Sequence, residues 1–123
     1  MSENATAISR ENEKGILVVR FQDDAVTELD QTIKASNELR ELADGTGTRV
    51  LFSLSNVHLI TSPGIAVLIE LNRHLRSSGG ELKICEAQPM VQQLFRSFGL
   101  EKALDIYSSR EEAMAAFEVK LAK

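Results

Sequence analysis

Residues 49–82, RVLFSLSNVHLITSPGIAVLIELNRHLRSSGGEL, decide the fold of this chain. The apolar run at residues 50–54 is short and rich in residues that suit a strand buried on both faces of a sheet. The longer apolar run that begins at Ile65 has the spacing of a helix. We therefore predict Ser62 as the N-cap of that helix and Pro63 as its first residue, because proline has no N–H to lose there. This segment places one serine at the junction of a strand and a helix.

Similar patterns predict the other elements of the chain. The predicted elements are an edge strand at residues 6–9, a turn at 12–15, a strand at 16–21, a helix at 28–43, strands at 81–86 and 104–107, a helix that begins at Pro89 and ends at Gly99, and a last helix that begins with the capping box at Ser109. With residues 49–82 included, the order is β-β-α-β-α-β-α-β-α. Helices that link consecutive strands indicate an α/β fold, with a mostly parallel sheet of four to five strands, an N-terminal hairpin strand and about four helices.

The helical segments also predict which side chains face the core. In the first helix the inward stripe comprises Leu29, Ile33, Ser36, Leu39 and Ala43. In the third and fourth helices the predicted inner residues are Val91, Leu94, Phe95, Phe98, Met114, Phe117 and Leu121. Cys85 lies in a predicted buried strand, so inert packing is expected for its thiol.

Two loops are predicted to meet at one edge of the sheet. Right-handed crossovers place the ends of the strands at residues 16–21 and 49–54 on the same side. The loop at residues 22–25 and the loop that holds Ser62 follow these ends. Open α/β sheets bind ligands and partners at this carboxyl edge, which makes it the expected functional surface.

Composition limits the classes of function. The chain has 123 residues, of which 43% are hydrophobic, and we expect one globular domain over residues 1–123. The net charge of −4 and the pI near 5.2 argue against nucleic acid or an anionic membrane as the partner. The sequence shows no signal core and no run of membrane-spanning length, and its single cysteine agrees with a reducing compartment. A cytoplasmic location is therefore expected.

The chemistry-bearing residues do not form a known catalytic or metal pattern. Ser62 lacks the G-x-S-x-G elbow and a His-acid pair, so hydrolase activity is not expected. His58 and His74 have no Cys, His or carboxylate at metal-ligand spacing, and surface positions are predicted for both. We predict no catalytic residue, no metal site and no cofactor, which leaves a protein partner or a small ligand.

The element order and three motifs resemble the STAS domain family, specifically its bacterial anti-sigma factor antagonists. The motifs are LITSPGIAVL at residues 59–68, GGEL at residues 79–82 and FGL at residues 98–100. The similarity extends from Ile16 to Phe117. It implies a protein-binding switch in sigma-factor control, and not an enzyme.

The resemblance also implies a modification site and partners. In that family the junction reads Asp-Ser-Ser/Thr/Ala-Gly, and a serine kinase that serves as anti-sigma factor phosphorylates its first serine. Phosphorylation is thus expected at Ser62, with an anti-sigma factor/serine protein kinase and a serine phosphatase as partners. The partner-binding residues expected on this basis are Asp23, Asp24, Thr61, Pro63, Gly64 and Ile65. Thr61 stands in place of the family's aspartate, and Pro63 removes one backbone donor.

Other functions are compatible with the same sequence. The main alternative is a constitutive scaffold or adaptor module of a signalling or transport assembly, in which Ser62 only caps its helix. A sensor that binds a nucleotide or lipid at the carboxyl edge is a third possibility. Asp23 and Asp24 could repel a phosphate on Ser62 or help to place Mg²⁺ in a kinase complex, and the alternative for this pair is a solvated turn.

Overall fold

The computed structural model describes residues 7–121, with side chains described up to residue 117. The strands are β1 (Ile8–Glu13), β2 (Ile16–Phe21), β3 (Ala25–Val26), β4 (Arg49–Ser53), β5 (Leu59–Ile60), β6 (Glu81–Cys85) and β7 (Ile106–Tyr107). The helices are α1 (Leu29–Leu42), α2 (Ser62–Ser77), α3 (Pro89–Ser97) and α4 (Arg110–Leu121), with a 3₁₀ turn at Leu100–Lys102. The predicted α/β class and the order of helices and main strands are confirmed.

Five strands form the main sheet in the order β1-β2-β4-β6-β7. The hairpin pair β1-β2 is antiparallel, and the other three pairs are parallel. β3 and β5 pair with each other in a separate parallel sheet of two strands. The mostly parallel sheet was predicted, whereas the small second sheet was not, because two-residue strands are too short to show a period in the sequence.

The N-terminal hairpin differs from its prediction in length. The pairs Asn12↔Leu17 and Glu13↔Ile16 belong to the ladder, so the predicted turn at residues 12–15 is wrong and the real turn comprises Lys14 and Gly15 alone. Both have positive φ, at 54° and 82°, as a type I′ hairpin turn requires. Of the predicted edge strand at residues 6–9, Thr6 lies outside the described residues, and β1 runs four residues further than expected.

The sheet is covered on both faces. One face carries α1, α2 and α3 over a core that includes Val19, Phe52, Leu68 and Phe95. The other carries α4 over a smaller core around Leu51 and Phe117. None of the helices of residues 7–121 is long and apolar enough to cross a membrane.

The inward face of α1 is the main error of the sequence prediction. Leu39 and Ala43 are buried as expected, but Leu29 is 64% exposed and Ile33 is 48% exposed. Thr32 and Ala35 face the core in their place.

Two polar side chains account for this rotation of α1. The Glu38 carboxylate accepts from the backbone N–H groups of Ala7 and Ile8, each at 3.0 Å. The Gln31 side-chain oxygen accepts from the N–H of Thr27 at 3.0 Å. With Glu38 and Gln31 turned toward these partly buried backbone donors, Leu29 and Ile33 lie on the side of α1 that faces water.

In α3 and α4 the predicted faces are largely confirmed. Val91, Phe95, Met114 and Phe117 are buried, and Leu94 is partly buried. Phe98 is 55% exposed, contrary to prediction; it is the C-cap of α3, at the point where the helix ends. The side chain of Leu121 lies outside the described residues.

Candidate functional site at the carboxyl edge of the sheet

The small sheet β3-β5 joins the two loops that were predicted to meet. The carbonyl of Asp24 accepts from the N–H of His58 at 2.7 Å, and Ala25 and Val26 pair with Leu59 and Ile60. The Thr61 N–H then donates to the carbonyl of Val26 at 3.1 Å. These bonds hold the chain in an extended path directly before α2, so the start of this helix has a fixed position at the carboxyl edge.

Ser62 is the first residue of α2 and not its N-cap, which corrects the prediction by one residue. Thr61 is the N-cap, since its backbone is extended (φ −119°) and its carbonyl accepts the first helical bond, from Ile65 at 3.0 Å. Pro63 is consequently the second helical residue. The Thr61 hydroxyl does not cap the helix but donates to the carbonyl of Thr27 at 3.4 Å. The Ser62 residue is exposed.

Gly64 explains how α2 can begin so close to the small sheet. A Cβ atom at this position would lie 2.6 Å from Ile60 Cγ1 and 2.8 Å from Val26 Cγ1. Only glycine permits this approach, and it seats the first turn of α2 on β3 and β5. Ile65, the next residue, is 4% exposed and belongs to the core.

The aspartate pair lies on the loop beside Ser62, but its two members have different surroundings. The Asp23 carboxylate accepts from the Gln31 amide at 2.7 Å, and the same amide donates to the carbonyl of Ala25 at 2.8 Å. Asp24 contributes its backbone carbonyl to the small sheet, and its side chain is exposed. Of the six expected partner-binding residues, Asp23, Asp24, Thr61 and Pro63 lie at the surface or partly exposed, whereas Gly64 and Ile65 are buried.

Three apolar side chains are exposed at the same edge as Ser62, and none of them was predicted to be exposed. Leu59 is 49% exposed on the outer face of β5, three residues before Ser62. Leu29 is the first residue of α1. It lies two residues after Thr27, whose carbonyl accepts the hydrogen bond from the Thr61 hydroxyl. Met90 is exposed near the start of α3, at the same edge. The one sequence signal for the exposure of Leu59 was its place next to Ile60 in a short apolar segment, since neighbouring side chains of a strand point to opposite faces.

The central strands β4 and β6 end in Ser53 and Cys85, and neither side chain is an activated nucleophile. Ser53 is buried at the end of β4, and its hydroxyl donates to the Glu86 carboxylate at 2.8 Å. Burial raises the pKa of the Cys85 thiol to about 12, and the nearby Glu86 charge adds to this effect. Cys85 is therefore protonated and unreactive at neutral pH, in agreement with its predicted packing role.

Metal-binding groups show no clustering in the part of the chain that the structure describes. His58 is exposed and His74 partly exposed, and no group of three or more His, Cys, Asp or Glu side chains within residues 7–117 is arranged to hold an ion. The edge around Ser62 thus offers a hydroxyl, carboxylates and apolar side chains at a rigid helix start. Such a surface suits recognition of a protein.

Two curated relatives are similar to this chain in sequence. The chain is 34% identical over 84 residues to BtrV of Bordetella bronchiseptica, a protein named as an anti-sigma factor antagonist, which covers 68% of this chain and 72% of BtrV. It is 29% identical over 117 residues to the anti-sigma F factor antagonist of Paenibacillus polymyxa, with 91% and 95% covered.

Solved structures share the fold at low identity. SpoIIAA of Bacillus in its phosphorylated form matches with a TM-score of 0.66 and 16% identity, over 90% of this chain and 99% of that one. The murine anion transporter Slc26a9 matches with a TM-score of 0.74 and 13% identity, over 89% of this chain and 18% of that one. Residues 7–113 match the STAS domain model. This chain therefore belongs to the STAS domain family.

Proposed function

We propose that this protein is an anti-sigma factor antagonist that binds its partner through the carboxyl edge and is released by phosphorylation of Ser62. The observation that carries this proposal is the exposed Ser62 hydroxyl in the first turn of α2, flanked by the exposed apolar residues Leu59 and Leu29. A group of apolar side chains exposed at one edge of a sheet is typical of an interaction site. The names of the two curated relatives support the class of partner, an anti-sigma factor.

The geometry favours Ser62 over Thr61 as the modified residue. The Thr61 hydroxyl is partly exposed and donates to the carbonyl of Thr27. Ser62 is exposed at the start of the helix, where a kinase can reach it. A phosphate there lies at the positive end of the α2 dipole, which favours a negative charge.

A phosphate at this point would act on the interface and not on the fold. It adds a charge of about −1.5 to −2 beside the apolar side chains that the partner must cover. Burying such a charge without a partner cation costs more than the contacts provide. The hydrogen-bonded loops of β3 and β5 hold the start of α2 in the same position with and without the phosphate. We therefore infer that the phosphate ends binding by repelling the partner. A structure of phosphorylated SpoIIAA with the same fold is in keeping with this mechanism.

The first prediction concerns the site of phosphorylation. Incubation with the cognate kinase and ATP should add one phosphate to the wild-type protein and to Thr61→Ala, and none to Ser62→Ala. Intact-mass measurement gives the result directly. Phosphate that persists in Ser62→Ala would move the site elsewhere, and no phosphate in any of the three proteins would favour a constitutive adaptor.

The second prediction concerns the interface. Ser62→Asp should weaken binding of the anti-sigma factor by about tenfold or more, because it places a charge within the proposed contact. Asn37→Asp is a matched control, since it makes the same charge change at an exposed position of α1. Calorimetric titration should find wild-type affinity for the control. Equal affinity of both variants would show that the start of α2 is not the interface.

A further inference from the structure

A polar groove of about 570 Å³ lies at the amino edge of the sheet, opposite Ser62. It is bounded by the first residues of β4 and β6, by the end of α2 and by the 3₁₀ turn that precedes β7. Gly79 and Gly80 line it without side chains. Its volume falls in the range of small-ligand sites.

Three cationic side chains line this groove from three separate elements. They are Arg49 of β4, Arg76 of α2 and Lys102 of the 3₁₀ turn. Within residues 7–117, none of these three forms an ion pair with another described side chain. Each can therefore offer its donors to a ligand.

The carboxylates of the groove are already occupied by other cations. Lys83, which is only 2% exposed, donates to Glu81 at 2.9 Å and to Asp105 at 2.5 Å. Glu101 pairs with Arg96 at 3.5 Å. The lining residues comprise three cations and three carboxylates, and the carboxylates pair with Lys83 and Arg96, which are not among the lining residues.

We propose that this groove binds a small soluble phosphate compound through Arg49, Arg76 and Lys102. Guanidinium groups bind phosphate oxygens in a bidentate manner, and lysine adds a compact charge. No aromatic side chain is among the groove's lining residues, so a nucleobase would find no stacking surface. The recognised group is therefore the phosphate, and pyrophosphate, which carries two phosphoryl groups, is the probe. This site is independent of Ser62 and of the anti-sigma factor.

Calorimetric titration with pyrophosphate tests the site. We expect saturable binding that weakens about tenfold in Arg76→Gln and in Arg49→Gln, as loss of one charge-assisted hydrogen bond predicts. Arg73→Gln is the matched control, because Arg73 lies one turn earlier on α2, is exposed and is outside the groove. Glu101→Gln should strengthen binding about two- to threefold, because it removes an exposed negative charge from the groove.

Three results would overturn this site. The first is that pyrophosphate does not bind at millimolar concentration. The second is that Arg73→Gln weakens binding as much as Arg76→Gln, which would indicate diffuse electrostatic attraction. The third is binding to phosphatidylglycerol vesicles without binding of pyrophosphate, which would assign the cations to a membrane surface. Ser62→Ala should bind pyrophosphate as the wild type does, so failure here leaves the proposed function untouched.

Discussion

At the scale of single residues, Gly64 sets the position of the candidate site. The third prediction is that Gly64→Ala destabilises the fold by roughly 1–3 kcal/mol, because its Cβ would overlap the side chains of Ile60 and Val26. Gly45→Ala is the control, since a Cβ there lies at an ordinary 3.6 Å from Thr48 Oγ1. Urea unfolding should show a loss for Gly64→Ala and little change or a small gain for Gly45→Ala. Equal stabilities would mean that α2 shifts away from the small sheet without cost.

At the scale of elements, α1 shows how polar contacts choose the buried face of a helix. The fourth prediction is that Leu39→Ala costs about 2–5 kcal/mol by leaving a cavity, whereas Ile33→Ala costs less than about 1 kcal/mol. Both substitutions shorten an aliphatic side chain of the same helix, so each is the control for the other. Denaturant unfolding measures the difference. A loss for Ile33→Ala as large as that for Leu39→Ala would place Ile33 in the core.

At the scale of the whole molecule, a buried cation ties α4 to the sheet. Lys83 Nζ lies 5.0 Å from the centre of the Phe117 ring and 5.3 Å from that of Tyr107, and it contacts Glu81 and Asp105. Burial lowers the pKa of Lys83, but the hydrogen bonds to Asp105 and Glu81 more than offset this, and the pKa is raised from 10.5 to about 12. The folded state therefore binds this proton more tightly than the unfolded state.

The fifth prediction follows from the sign of that shift. The contribution of Lys83 is complete below pH 10.5 and is lost as the pH rises through about 12. The stability of the wild type relative to Lys83→Met should fall by about 1–2 kcal/mol over this range, because a methionine has no proton to lose. Urea unfolding of both proteins at several alkaline pH values measures this difference, in which the other lysines cancel. A difference that does not change with pH would show that the ion pairs leave the Lys83 proton unaffected.

The sequence by itself determined the order of the helices and main strands, and it placed Ser62 at the start of α2 to within one residue. The runs of β4 and α2 differ in length and period, and proline and glycine mark the ends of α2 and α3, so these local signals need no tertiary context. The handedness of the crossovers predicted that the loop at residues 22–25 and the loop that holds Ser62 meet at the carboxyl edge. The pairing of β3 with β5 confirms this.

The tertiary structure alone decided the surroundings of that serine. Leu29 and Ile33 have the spacing of a core face, but pairing of Glu38 and Gln31 with backbone donors turned them outward. The two-residue strands β3 and β5 can be recognised as strands only from their pairing with each other. Lys83 stands at an ordinary strand position in sequence, and its burial depends on two carboxylates and two rings supplied by other residues. Several of these partners are distant in sequence, as Ala7 is from Glu38 and Asp105 is from Lys83, and a local pattern carries no information about which partner will satisfy a donor or a buried charge.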